Sequence, residues 1–500
     1  MLGWRGLSAA WPRLTLRKIG ATSHRSLGPA TPLPSARTSE MRFTFPLACA
    51  VLLCLSPLTP GMAAEPQKPR LVVLTDIGGD PDDTQSLVRL LVHANEFEIK
   101  ALIASASGTP GELKRDLVQP DLIRSVVRAY GQVEQNLRQH ADGFPRADDL
   151  LARIYSGNPR RGPKPLGEEH DTEGSRKIIE LVDRKDDRPL NITVWGGSTD
   201  LAQALWRVRQ DRSPEELKRF IAKLRVYSIG YQDDTGGWIA EEFPDLFYIV
   251  SMAPPGRDKR EGAYRGMYLG GDENLTSLAW LDEHVRRNHG PLGALYPAQT
   301  WTAPNPHSAL KEGDTPSLLY FLPVGLGDPE HPEWGSWGGR FARVAGNRFG
   351  DSADTVDGKT EARASVWRWR AAVQNEFQAR MDWCVAPKDK ANHPPAILGP
   401  SEQAASPTKV VARPGKSIQL MAGEIRDPDG DTITCRWFVY PEAGAYAGRV
   451  SLSSEQGETT TVNVPADLSD RTIHILLAAT DSGAPPLTRY RRFILSAQNK

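Results

Sequence analysis

Three things are scarce in this chain. Charge of one sign is absent: Lys+Arg and Asp+Glu are both 61, so no net charge draws it to a nucleic acid polymer or a membrane surface. Cysteine is sparse, with four in 500 residues, and none of the spacings of a cysteine-rich metal cluster occurs. Long apolar runs are also missing. The one pronounced run lies in "MRFTFPLACAVLLCLSPLTPGMAAEP", from Met41, and its core is too short for a good transmembrane span.

A basic residue, a short apolar core and small residues ending near Ala64 read instead as a secretory signal peptide, residues 41–64. Residues 1–40, rich in Arg, Ser and Pro, read as an extension ahead of a start at Met41. The expectation is a periplasmic or secreted protein with no membrane span once the signal is removed. Cys49 and Cys54 leave with that segment. Cys384 and Cys435 remain: in an oxidising compartment they are able to pair, or each stays a buried thiol.

The stretch with the most chemistry is "RLVVLTDIGGDPDDTQSLVRLLVHA", Arg70 to Ala94. An apolar run, Leu71 to Leu74, reads as a buried parallel strand. It ends in Asp76, opens into a loop with Gly78, Gly79, Asp80, Asp82 and Asp83, and continues as an amphipathic helix. Like charges gathered this closely raise one another's pKa. A hard divalent cation relieves the repulsion, and carboxylate oxygens are what calcium and magnesium prefer. The plainer alternative is a helix cap with solvated loop acids.

The strand, its terminal aspartate, the glycine turn and the Asp-Asp pair resemble the calcium-dependent inosine-uridine nucleoside hydrolases, which begin with a strand followed by D-x-D-x-G-x-D-D. Leu74 stands where the first family aspartate falls, and the spacing from Asp76 to Asp82-Asp83 is two residues longer. That longer form is similar to the nucleoside-hydrolase-like domain of an exported family labelled "cellulose-binding". The resemblance implies an α/β fold for residues 65–386: a mostly parallel open sheet flanked by helices. The alternation of strand and helix patterns from Arg70 to about Val250 agrees with it.

Further segments extend the resemblance. "LNITVWGGSTDLAQALWRV" matches by position a family segment in which a threonine carbonyl ligates calcium, which places Thr199 in that role. Asp314, before "TPSLLYFL", matches the aspartate of a late His-Asp pair, but Gly313 stands at the histidine; His307 and His331 are the nearby replacements. The resemblance thus implies Ca2+ held by Asp76, Asp83, Thr199 and Asp314. Asp76 would be the general base and Asp82 would hold sugar hydroxyls. Ser107, Gln232, Asp233, Trp238 and Glu242 fall after strands whose carboxyl ends would share one sheet edge, where open α/β sheets bind ligands, though Asp233 is equally a turn former. Trp334 and Trp337 form an aromatic and glycine cluster, either a sugar-stacking platform or a loop packed on the domain.

Residues 387–408 read as a Pro-rich linker and 409–500 as an all-β immunoglobulin-like sandwich of short alternating strands. Its Asp427, Asp429 and Asp431 suit a second calcium, although a tight Asp-Gly turn explains them more simply. The leading functional expectation is a calcium-dependent hydrolase of N-glycosidic or glycosidic bonds. Its partner would be a small glycoside or polysaccharide, and a homo-oligomer is left open. The rival is a non-catalytic carbohydrate-binding protein that keeps the metal cradle. A dehalogenase-type phosphatase would need an acid at Gly78 and is set aside.

Overall fold

The computed structural model describes residues 67–109, 116–300, 309–398 and 406–498. The signal and extension readings, Cys49, Cys54 and His307 lie outside the described residues.

An eight-stranded sheet forms the first domain. Its strands are β1 (Arg70–Thr75), β2 (Glu98–Ala104), β3 (Ile154–Ser156), β4 (Leu190–Val194), β5 (Leu224–Ile229), β6 (Phe247–Ser251), β7 (Phe341–Ala345) and β8 (Arg348–Asp351), in the order β3-β2-β1-β4-β5-β6-β8-β7. All neighbours are parallel except β7 against β8. The apolar run in β1 has a simple cause. Alternate side chains leave a strand on opposite faces: Leu71 and Val73 enter one core, Val72 and Leu74 the other, and all are fully buried. Helix α1 (Asp82–Val92) covers the first face with Arg370–Asp382, while Glu173–Asp183 and Thr199–Asp211 cover the second.

The order reverses beside β1, so chain leaving β1 and chain leaving β4 diverge to opposite faces and open a crevice at their carboxyl ends. Asp76 ends the first strand and Trp195 and Gly196 the second.

The second domain is a β-sandwich, with four strands facing three over a core that includes Trp437, Ile475 and Leu495. It is not tethered loosely. Tyr440, Leu476 and Tyr490 belong to the same apolar cluster as Trp337 and Trp369 of the first domain. The segment read as a linker is docked as far as it is described: His393 stacks on Trp383 and His140, and Ala396–Leu398 pairs with Glu424–Arg426. Of the two alternatives left open for Cys384 and Cys435, the structure has the buried thiols: both are free, and each sulfur is enclosed by its own domain's core. Among the described residues no helix is long and apolar enough to cross a membrane.

Candidate functional site

The loop after β1 is built to hold carboxylates inward. Gly79 N–H donates to the Asp76 carbonyl at 3.1 Å, and Gly78 takes φ 101°, a left-handed conformation that glycine adopts freely. The chain then enters α1 with Asp82 and Asp83 in the first turn, where the helix dipole favours negative charge. Thr75 donates its hydroxyl to Asp83 and accepts from Ile77 N–H at 3.2 Å. The Gly108 amide, beyond β2, donates to Asp76 Oδ2 at 2.8 Å. From the far side comes Asp314, buried at the start of the helix Thr315–Leu319.

Oxygens of Asp82, Asp83 and Asp314 lie within 4.8 Å of one another. Asp314 Oδ2 is buried with no hydrogen-bond partner. Burial, then the charges of Asp76, Asp314 and Asp82, push the Asp83 carboxyl well above the usual carboxylate range. Burial, then Asp82 and Asp76, does the same to Asp314. This acidic group could hold a metal ion. It floors a cavity of about 700 Å³, walled by Trp195, Gln232, Tyr264, Arg265 and Lys311.

Sequence reasoning missed Lys311. Its ammonium pairs with Asp80 and lies 3.2 Å from Asp82. Burial works against its charge, but Asp82 and Asp80 outweigh that and hold it above the ordinary lysine range. A lysine three residues before Asp314 was the available signal, although an exposed loop lysine looks the same in sequence. Tyr264 and Arg265 were missed too, because they arrive from the short 3-10 turn Ala263–Met267, too short to leave a periodic pattern in the sequence.

Of the expected site residues, Asp76, Asp82, Asp83, Asp314 and Gln232 meet in this cavity. Ser107 flanks its wall beside Gly108, with its hydroxyl donated to the Thr109 carbonyl at 3.1 Å. The others go elsewhere. Thr199 is the first residue of the helix Thr199–Asp211, so its carbonyl points down the helix toward the residue four on, and it is not among the cavity-lining residues. Its hydroxyl donates to Asp233 at 3.1 Å, and Asp233 also accepts from Ser198 and Thr235, which makes it a buried loop brace. Trp238 packs edge-on against Phe243, and Glu242 pairs with Arg209 at 2.6 Å, both on the helix Asp234–Glu242. Trp337 is 1% exposed in the core. Trp334 stacks on His331 at 3.7 Å and meets His474 of the sandwich. The aromatic cluster is therefore a packed junction between domains, not an open platform, and His331 is committed there.

The sheet order and the acidic crevice define a nucleoside-hydrolase-like α/β protein. Residues 70–341 match the family model described as "Cellulose-binding Sde182, nucleoside hydrolase-like domain", and residues 417–497 match "Cellulose-binding protein Sde0182, C-terminal domain". The chain belongs to this family. It is similar to the solved structure of a nucleoside hydrolase-related protein from Saccharophagus degradans, described as associated with carbohydrate metabolism. The identity is 34%, over 86% of this chain and 100% of that one, with TM-score 0.74. More distant matches are the effector protein XOO4466, at 13% identity over 64% of this chain and 95% of that one with TM-score 0.36, and the type III effector XopQ complexed with adenosine diphosphate ribose, at 12% over 64% and 96% with TM-score 0.36. No curated protein matches the chain.

Proposed function

We propose that this chain is an exported, calcium-dependent hydrolase of a glycosidic or N-glycosidic bond. The observation that carries the reading is the buried aspartate group at the carboxyl ends of the strands, with Asp314 Oδ2 lacking any partner. Such oxygens suit a hard cation, since burying several carboxylates together is otherwise costly. Asp83, Asp314 and Asp82 would hold it, with Asp76 beside them. A bound calcium would supply the positive charge that keeps these carboxylates ionised and makes a neighbouring water more acidic.

The protein's own groups do the rest. Asp76, oriented by the Gly108 amide, takes the proton of the attacking water. Asp82 holds sugar hydroxyls, whose hydrogen bonds strengthen as oxocarbenium character develops. Lys311 keeps Asp80 and Asp82 in place. The tyrosine and tryptophan walls give the sugar's apolar face a surface. The signal-peptide reading of residues 41–64 supports export.

A second reading is non-catalytic carbohydrate binding. Gly313 favours it, because no histidine stands beside Asp314 to protonate a leaving group, and so does the family's cellulose-binding description.

Calorimetric titration of calcium into the protein, wild type beside Asp83→Ala, decides between them when turnover of p-nitrophenyl riboside and nucleosides is read in parallel. Loss of one calcium-binding event in the variant, with calcium-dependent cleavage lost alongside it, is the expected result. Binding without turnover on any glycoside supports the second reading, and absence of binding overturns the metal site.

A further inference from the structure

The geometry points to a second calcium site, separate from the crevice, at the seam where the chain enters the sandwich. It would be built by Asn392, Asp427, Asp429, Asp431 and Asp481, and its ion would lock the two domains together.

Three chain segments converge there. The turn Asp427–Asp431 brings carboxylate oxygens of its three aspartates within 4.8 Å of one another. Asp427 Oδ1 accepts from Asp429 N–H at 2.9 Å and Asp431 N–H at 3.0 Å, which leaves Oδ2 buried and without a partner. An Asp-Gly turn explains the first two bonds but not the idle oxygen.

The second and third segments add two more such oxygens. Asp481, 4% exposed, ends the strand Thr472–Thr480. Its Oδ1 accepts from Asn392, Gly483 and Leu487, while Oδ2 is buried and unpartnered. Asn392, 7% exposed, donates its amide to Asp481 Oδ1 at 2.9 Å and to the Pro485 carbonyl at 2.7 Å, and its Oδ1 is buried and unpartnered. The next residue, His393, binds Asp429 through both N–H at 2.7 Å and Nδ1 at 2.9 Å. Ser482, next to Asp481, donates to Asp431 at 3.3 Å and accepts from Thr432 N–H at 3.2 Å. The Asn392-His393 pair is thus clamped between the two acidic turns.

Buried acceptors normally find a donor. Three idle ones in adjoining turns, beside two more carboxylates, have the chemistry of a cage for a cation that takes six to eight oxygens in flexible geometry. The ion would tie the entry segment, itself stacked on Trp383 and His140 of the first domain, to two turns of the sandwich.

The test uses the full chain and calcium chloride alone, by calorimetry and thermal melting. Wild type, Asp427→Asn, Asp83→Ala and the double variant are compared. Asparagine at 427 keeps the turn-forming oxygen and removes charge, so the fold should survive; Asp431→Asn, on the same turn, is the second probe. We expect both sandwich variants to weaken one calcium event roughly tenfold or more, in wild type and Asp83→Ala backgrounds alike, and to abolish the calcium-induced rise in melting temperature of Asp83→Ala. If calcium binding and its thermal effect are unchanged by Asp427→Asn and Asp431→Asn, the site is refuted. The crevice reading fails separately, through Asp83→Ala.

Discussion

Glu376 of the closing helix and Arg489 of the sandwich form a two-point ion pair, at 2.8 and 3.1 Å, with the glutamate 2% exposed. Arg380 binds the same carboxylate at 2.8 Å and reaches on to Glu96. A charge network therefore runs from the α/β domain into the sandwich. Replacing Glu376 by Ala would leave two largely buried guanidiniums facing each other, and removing one partner of a buried pair costs about 3–5 kcal/mol. The expected outcome is a lower melting temperature and separation of a single unfolding transition into two, read by calorimetry.

Gly196 is matched to Asp76. A Cβ there would lie 2.3 Å from the Asp76 carboxyl carbon, and a short aspartate cannot swing clear without leaving Gly108. Gly196→Ala should cost about 1–3 kcal/mol by overpacking. It should also weaken calcium binding and turnover far more than stability, as calorimetry and activity on p-nitrophenyl riboside would show.

Lys311 would compete with a bound cation for Asp82, 3.2 Å away. Lys311→Met removes a charge beside the aspartate group. It should tighten divalent binding by roughly tenfold or more, at about 1.4 kcal/mol per factor of ten, while lowering turnover because Asp80 and Asp82 lose their tether. Equal or weaker calcium affinity in the variant would contradict this role.

Asp351, half-buried at the end of β8 with its Oδ1 enclosed, accepts from Ala263 N–H at 2.6 Å. Burial pushes its carboxyl from 3.8 up to about 7, against the pull of hydrogen bonds from Ala263, Ser251 and Met252. A folded value above the unfolded one means the native state holds the proton more tightly. The stability this group contributes is complete below about pH 4, declines as pH rises toward 7, and is flat above. Asp351→Asn should flatten that part of the melting temperature profile between pH 4 and 7.

Local pattern determined much of this protein. Residues Leu71 to Leu74 read as a buried parallel strand, and the Asp76–Asp83 loop opening a helix marked where carboxylates would collect, because strand and helix periodicities are local. The sandwich strands were legible for the same reason, as the turns Asp427–Asp431 and Ser482–Pro486 punctuate them. What neighbours a side chain across hundreds of residues was not legible. Asp233, Trp238 and Glu242 follow a strand end that does border the crevice, yet the helix Asp234–Glu242 carries Trp238 and Glu242 away, and Asp233 just before it is buried as a brace. Trp334 and Trp337 read equally as a sugar platform or as a packed loop, and only the tertiary structure puts Trp337 in the core and Trp334 against His474 of the sandwich. Asn392 carries no local signature, and Lys311 only its nearness to Asp314, which an exposed loop lysine would share. Their roles come from the acids that tertiary packing sets beside them, and a charge's meaning depends on its neighbours in space, not in sequence.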